Sequence, residues 1–201
     1  IQQATDWYEF SLSNGWHLSP VWNQDNHSPD WGTKNNGRAG IWAGELSRDS
    51  LFEAINKGRT FATMDKNAAV WIDMGGVPMG GSLIYYPGMT FHLQMSDTDN
   101  ENWTNIEIVS NHGVITSIQN NNHNLDTTIT LSLYSESFLF VRAIQDDGDY
   151  IWSAPVYIDG FVSSVSNPDK VPAISVYPNP ATDNIIVNCS NTDEAMLKIY
   201  D

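Results

Sequence analysis

Two stretches of this chain bring metal-ligating residue types close together. In the first, Gly15-Trp16-His17-Leu18-Ser19-Pro20-Val21-Trp22-Asn23-Gln24-Asp25-Asn26-His27, a segment of strand-like content runs directly into Asp25 and His27. Two residues apart, these side chains fall on one side of an extended chain end. There a carboxylate oxygen and an imidazole nitrogen can ligate a divalent ion such as Zn, Mn or Fe. The alternative is a polar loop in which Asp25 caps its own turn. In the second stretch, Ser96-Asp97-Thr98-Asp99-Asn100-Glu101-Asn102 has the composition of a calcium loop, with Asp97 and Asp99 as alternate oxygen ligands. It lacks the glycine and the terminal glutamate of an EF-hand, so a solvated hairpin stands beside calcium as its reading.

Other polar groups read as structural. Gln145-Asp146-Asp147-Gly148-Asp149 separates two apolar stretches, and Asp-Gly there is a tight-turn signal. His92, His112 and His123 are scattered without ligand spacing, and Asp30 and Glu45 read as capping or solvated acids. Five of the eight tryptophans lie in the first 42 residues. They can stack on sugars, but no strand-aligned aromatic row accompanies them, so core packing is their expected role.

The elements that must position these groups differ along the chain. A helix is expected over Ala4 to Asn14, closed by Gly15, and a second over about 48 to 57, capped by Ser47 or Asp49 and closed by Gly58. Apolar pieces at Trp16 to Trp22, Ala39 to Ala43 and Thr60 to Thr63 read as strands. From Ala69 the texture becomes short alternating stretches, at Ala69–Met74, Met89–Met95, Asn105–Ser110, Thr127–Leu133, Phe138–Ile144 and Trp152–Ile158. Gly75-Gly76, Pro87-Gly88 and Asn111-His112-Gly113 punctuate them, and a β-sandwich of about seven strands is the expected closure. Residues 163–172 read as a linker before a last piece from Ala173.

Charge divides the chain at the same place. Residues 1–66 hold 8 acids and 6 bases, whereas residues 67–201 hold 16 acids and 3 bases, which together give the formal charge of -15. Binding to phosphate backbones or anionic lipid relies on clustered Lys and Arg, so neither nucleic acid nor such a surface is an expected partner. The lone Cys189 makes no internal disulfide, and no apolar run approaches the roughly 18 residues of a spanning helix. The chain starts Ile1-Gln2-Gln3, with neither an initiator methionine nor a basic signal start, and it reads as part of a longer protein.

The ordered set Asn23-Gln24-Asp25-Asn26-His27, Trp31-Gly32, Arg38-Ala39-Gly40-Ile41, Leu46-Ser47-Arg48 and Gly58-Arg59-Thr60-Phe61-Ala62-Thr63 resembles the closing segment of the polymerase and histidinol phosphatase (PHP) superfamily. The likeness covers about residues 5 to 80 and is to its secreted, tryptophan-rich branch of metal-dependent phosphoesterases. It implies that residues 1–66 are the α/β remnant of a distorted (β/α)7 barrel. It also implies that Asp25 and His27 are the family's last Asp-x-His ligand pair and that His17 faces either the site or the barrel wall. The family's His-x-His, its Glu and its middle histidines would lie upstream. Metal-assisted attack of water on a phosphoester needs those ligands too, so this chain alone is expected to be inactive. Asn111-His112-Gly113-Val114 and Trp152-Ser153-Ala154-Pro155-Val156 resemble the immunoglobulin-like sandwich appended in that branch, here residues 67–162.

Ile174-Ser175-Val176-Tyr177-Pro178-Asn179-Pro180-Ala181-Thr182-Asp183, followed by Ile185-Ile186-Val187, resembles the start of the type IX secretion sorting domain. Residues 173–201 would then be an incomplete sorting domain, read by the secretion machinery of a bacterium that exports the protein or displays it at its outer membrane. The leading expectation is the carboxyl-terminal part of an exported metal-dependent phosphoesterase. The rival is a non-catalytic acidic surface module that binds calcium or glycan.

Overall fold

The computed structural model describes residues 2–162 and the strand segments Ile174–Tyr177 and Ile186–Cys189. Residues 1–162 and 163–201 form two separate compact units. The first unit comprises α1 (Gln2–Ser13), β1 (Arg38–Ile41), α2 (Arg48–Asn56), β2 (Thr60–Thr63), β3 (Ala68–Met74), β4 (Val77–Pro78) and β5 (Ser82–Tyr85). It continues with β6 (Thr90–Asp97), β7 (Trp103–Ser110), β8 (Gly113–Asn122), β9 (Asn124–Thr130), β10 (Phe138–Gln145), β11 (Tyr150–Ser153) and β12 (Val156–Phe161).

These strands make two sheets. The larger has eight strands in the order β1-β2-β11-β10-β12-β5, with β7 pairing β10 and β8 pairing β7; the smaller has four, in the order β4-β3-β6-β9. Period-2 patterning drives their packing, because Val70, Ile72 and Met74 of β3 and Phe91, Leu93 and Met95 of β6 all point to one buried face. They meet Ile106 and Ile108 of β7 and Leu139, Val141 and Ala143 of β10 in a single core. The other side of β10 carries Phe138 and Phe140. That side is covered by Leu12 and Tyr8 of α1, together with Trp152 and Tyr157. Phe138 to Val141 therefore read as a continuous apolar run because the strand is buried on both faces.

The barrel remnant expected in the first region is not what these residues build. β1 and β2 pair antiparallel, with Ala39 opposite Ala62, and β2 pairs antiparallel with β11, with Ala62 opposite Trp152. A (β/α) barrel needs parallel strands; here α2 connects two antiparallel neighbours, and both extend the larger sheet of a mainly antiparallel sandwich. The expected strand at Trp16 to Trp22 makes no ladder, and Pro20 has no N–H to give one. Instead, Leu18 N–H donates to Tyr157 Oη (2.9 Å), that hydroxyl donates to Leu18 O (3.0 Å), and Thr60 Oγ1 donates to Pro20 O (2.8 Å). The extended segment is thereby fastened to the sandwich.

The helices form where their caps stand. Ser50 N–H donates to Ser47 Oγ at the start of α2 (3.3 Å), and Gly58 follows its end at φ 67°, a conformation that costs glycine nothing. Arg142 of β10 fixes α1 by pairing Glu9 at 2.7 Å and Glu107 at 2.6 Å.

In the second unit, Ile174–Tyr177 (β13) and Ile186–Cys189 (β14) pair antiparallel, Ile174 opposite Cys189 and Tyr177 opposite Ile186. The expected linker 163–172, the Pro178–Asp183 turn and the alternation at Met196, Lys198 and Tyr200 lie outside the described residues. No helix among the described residues is long and apolar enough to cross a membrane.

Candidate metal centre

Among the described residues, one group of three ligating side chains brings an atom from each within 4.8 Å of the others: Asp65, Asp97 and Glu101. They are delivered by two passages between the sheets. Asp65 lies in the connection that takes the chain from β2 in the larger sheet to β3 in the smaller. Asp97 ends β6, Glu101 lies in the return to β7, and Gln145 ends β10 beside them. Asp65, Asp97 and Gln145 are buried, at 4%, 2% and 2% exposure.

Local bonding holds the carboxylates in place. Asp97 Oδ1 accepts from the N–H groups of Asp99 (2.8 Å) and Glu101 (3.2 Å), so the 97–101 loop wraps its own first carboxylate, helped by Asn100 at φ 68°. Gln145 Nε2 donates to Asp97 Oδ2 (2.8 Å). Asp65 N–H donates to Thr63 Oγ1 (3.1 Å), while Thr63 Oγ1 donates back to Asp65 O (2.9 Å). The β10–β11 turn, with Gly148 at φ 99°, closes the site from the side through Asp146 N–H to Asn102 O (2.9 Å).

The protein's own donors do not satisfy this cluster. Asp65 Oδ2 and Gln145 Oε1 are buried without a hydrogen-bond partner. Asn67 is caught between oxygens. With its amide nitrogen toward Asp65 Oδ1 (2.9 Å) and Asp99 Oδ2 (3.3 Å), its oxygen accepts from Asp99 N–H (3.2 Å). That oxygen then takes the position 3.4–3.5 Å from both Asp97 carboxylate oxygens. Turned the other way, it faces Asp65 Oδ1 instead. With its nitrogen toward Asp65 the Asn67 amide is satisfied, and Asp65 Oδ2 and Gln145 Oε1 are the buried oxygens left without a donor.

The electrostatics agree. Burial first, and then the neighbouring Asp97, push Asp65 up to about 6. Burial and the surrounding charges of Asp147, Asp65, Asp97 and Asp99 push Glu101 up to about 7. Burial alone would raise Asp97 as well, but hydrogen bonds from Asp65, Gln145 and the two loop N–H groups outweigh it and hold that carboxyl low. Burial and Asp147 raise Asp149. Three carboxylates form a hard, all-oxygen donor set, which suits calcium better than zinc.

The residues expected from sequence distribute unevenly. Asp97 is in the cluster. Asp99 is exposed and serves it through its N–H and through Asn67. Asp25 and His27 lie on the exposed loop after Trp22, 90% and 85% exposed, with His27 Nε2 3.4 Å from Asp25 Oδ1. Asp25 adopts φ 44°, and its N–H donates to Asn23 Oδ1 (2.9 Å). His17 stacks on Tyr157 with centroids 3.9 Å apart. Asp65, Asn67, Glu101 and Gln145 were not singled out from the sequence as ligands. Glu101 extends the alternation of Asp97 and Asp99, a signal that was available; Asp65 lies more than thirty positions before Asp97, and only the strand register brings the two together.

No protein-family model matches the chain, and no solved structure matches it. An uncharacterized protein of Chlamydia trachomatis serovar D is 24% identical over 140 residues, an alignment covering 61% of this chain and 22% of that protein. The chain thus matches only a small part of its curated relative's length.

Proposed function

We propose that residues 2–162 are a non-catalytic β-sandwich module that holds one calcium ion at Asp65, Asp97 and Glu101, carried by a bacterial protein exported through the signal beginning near Ile174. The ion ties the connection from β2 to the β6–β7 loop and so clamps the two sheets together. One observation carries this reading: the buried carboxyls of Asp65 and Asp97 converge with Glu101 within 4.8 Å, and Asp65 Oδ2 is buried there without a hydrogen-bond partner. The export reading is supported by the Ile174–Asp183 motif and its paired flanking strands. Isothermal titration with calcium chloride tests the module. It should show one ion per chain in the wild type and none in Asp97→Asn; equal binding by both would refute the site.

A second reading keeps Asp25 and His27 as ligands of a Zn, Mn or Fe centre whose remaining ligands come from chain preceding Ile1, acting on a phosphoester. The approach of His27 Nε2 to Asp25 Oδ1, 3.4 Å, favours it. Metal-dependent phosphodiester turnover by the longer protein, lost in Asp25→Ala/His27→Ala, supports that reading, and unchanged turnover refutes it.

A further inference from the structure

The outer face of the smaller sheet carries a polar and aromatic grid that the cation site does not use. Register places Trp71 of β3 opposite Gln94 of β6, and Gln94 opposite Asp126 of β9. The next row is Asp73, His92 and Thr128, and the row on the other side is Ala69, Ser96 and Asn124. All nine alternate along their strands with the buried residues; Ala69 and Trp71 are partly buried and also pack against the core. Trp42 arrives from outside the sheet, its indole N–H donating to Val70 O (2.7 Å) and its ring standing edge-on to Trp71, 80° between planes and 5.6 Å between centroids. The corner so formed opens into a groove of about 330 Å³ along Trp42, Trp71, Gln94, Asn124 and Asp126, at the small end of the roughly 300–1,000 Å³ of small-molecule sites.

The polar groups are fixed before any ligand arrives. His92 Nδ1 lies 2.9 Å from Asp73 Oδ2 and its Nε2 2.9 Å from Asp126 Oδ1, while Gln94 Nε2 donates to Asp126 Oδ2 (2.9 Å). Each carboxylate oxygen keeps capacity for a second donor. A ligand that fits must offer a flat apolar face to an indole and hydroxyl donors at its rim, and it must carry no negative charge beside Asp73 and Asp126. A neutral pyranose meets all three conditions: its axial C–H face is apolar and its equatorial hydroxyls donate. Phosphorylated or uronic ligands fail the third.

From this arrangement we infer that the Trp42–Trp71 corner of the smaller sheet is a binding site for neutral saccharides, with the two indoles of the corner as the apolar contact and Asp126, Gln94 and Asn124 as hydroxyl partners. Preorganisation by the His92 bridge limits the ordering cost of binding. It is independent of the cation site, whose residues it does not share.

Affinity electrophoresis in calcium-containing buffer, with soluble neutral β-glucan, xylan and galactomannan as separate probes and polygalacturonate as the anionic control, tests it. Retardation by at least one neutral polysaccharide is expected, with none by polygalacturonate. Trp71→Ala should weaken it at least tenfold and Asp126→Ala at least threefold. Asp126 is exposed, so that variant keeps the fold if Trp71→Ala does not, and far-UV circular dichroism checks both. No retardation by any neutral probe, or retardation unchanged in a folded Asp126→Ala, overturns the inference.

Discussion

Replacing Asp65 with asparagine preserves shape and removes one charge from a buried carboxylate pair, so it separates the cost of the unfilled cluster from the benefit of the ion. Asp65 sits at about 6 in the folded chain, against about 3.9 when unfolded. A carboxyl raised by folding costs nothing below about pH 4; the cost grows as pH rises towards 6 and is complete above that. Two units at about 1.4 kcal/mol each bound it near 3 kcal/mol. The opposing displacement of Asp97 and solvent screening reduce it to about 1–2 kcal/mol. At pH 7.5 with chelator, Asp65→Asn should therefore melt about 2–8 °C higher than the wild type, since each kcal/mol is worth about 2–4 °C at this size. Calcium at a hundred times Kd should then add about 2.7 kcal/mol to the wild type and almost nothing to the variant, reversing their order. Differential scanning fluorimetry with EDTA and with calcium reads both. A variant that melts below the wild type in EDTA, or that gains as much from calcium, would refute the reasoning.

Three further outcomes are expected. His92 is held charged by Asp126 and Asp73, which raise it above its ordinary value. Its contribution is complete below about pH 6.5 and is lost as pH climbs through the raised folded value, so the Tm gap between wild type and His92→Gln should shrink with rising pH; a gap that widens contradicts the bridge. Arg142 joins α1 to the sheet through Glu9 and Glu107; Arg142→Met should cost about 1–3 kcal/mol in urea unfolding because two partly buried acids lose their partner, and a loss under about 0.5 kcal/mol would show that α1 is held by packing alone. Asp25→Ala/His27→Ala, on an exposed loop, should change the stability of this chain by less than about 0.5 kcal/mol; a larger loss would give the loop a structural role that its hydrogen bonds do not suggest.

Local signals were legible in the sequence, and long-range pairing was not. The helix expected at about 48 to 57 is Arg48–Asn56, and the alternation at Ala69–Met74 is Ala68–Met74, because caps and period-2 patterns act over a few residues. The stretch Trp152–Ile158 is two strands, β11 and β12, separated at Ala154-Pro155, where proline supplies no ladder donor. The barrel expectation failed because Thr60–Thr63 and Arg38–Ile41 are apolar and short, a pattern that parallel and antiparallel partners share; the partner, β11, lies some ninety residues away. The cluster failed in the same way: Asp97 was visible in its acidic run, whereas Asp65 became a neighbour only through the fold.

Terbium luminescence addresses the central claim most directly, because Tb³⁺ replaces calcium in oxygen sites and is sensitised by nearby aromatic rings, tryptophan among them. Trp103 is buried two residues from Glu101, its indole N–H donating to His123 O, the same carbonyl that receives Asp97 N–H. Excitation of tryptophan should give terbium emission that saturates at one ion per chain, is displaced by calcium, and vanishes in Asp65→Asn/Asp97→Asn. Emission of equal strength in that double variant, or none in the wild type, would contradict a cation at Asp65, Asp97 and Glu101.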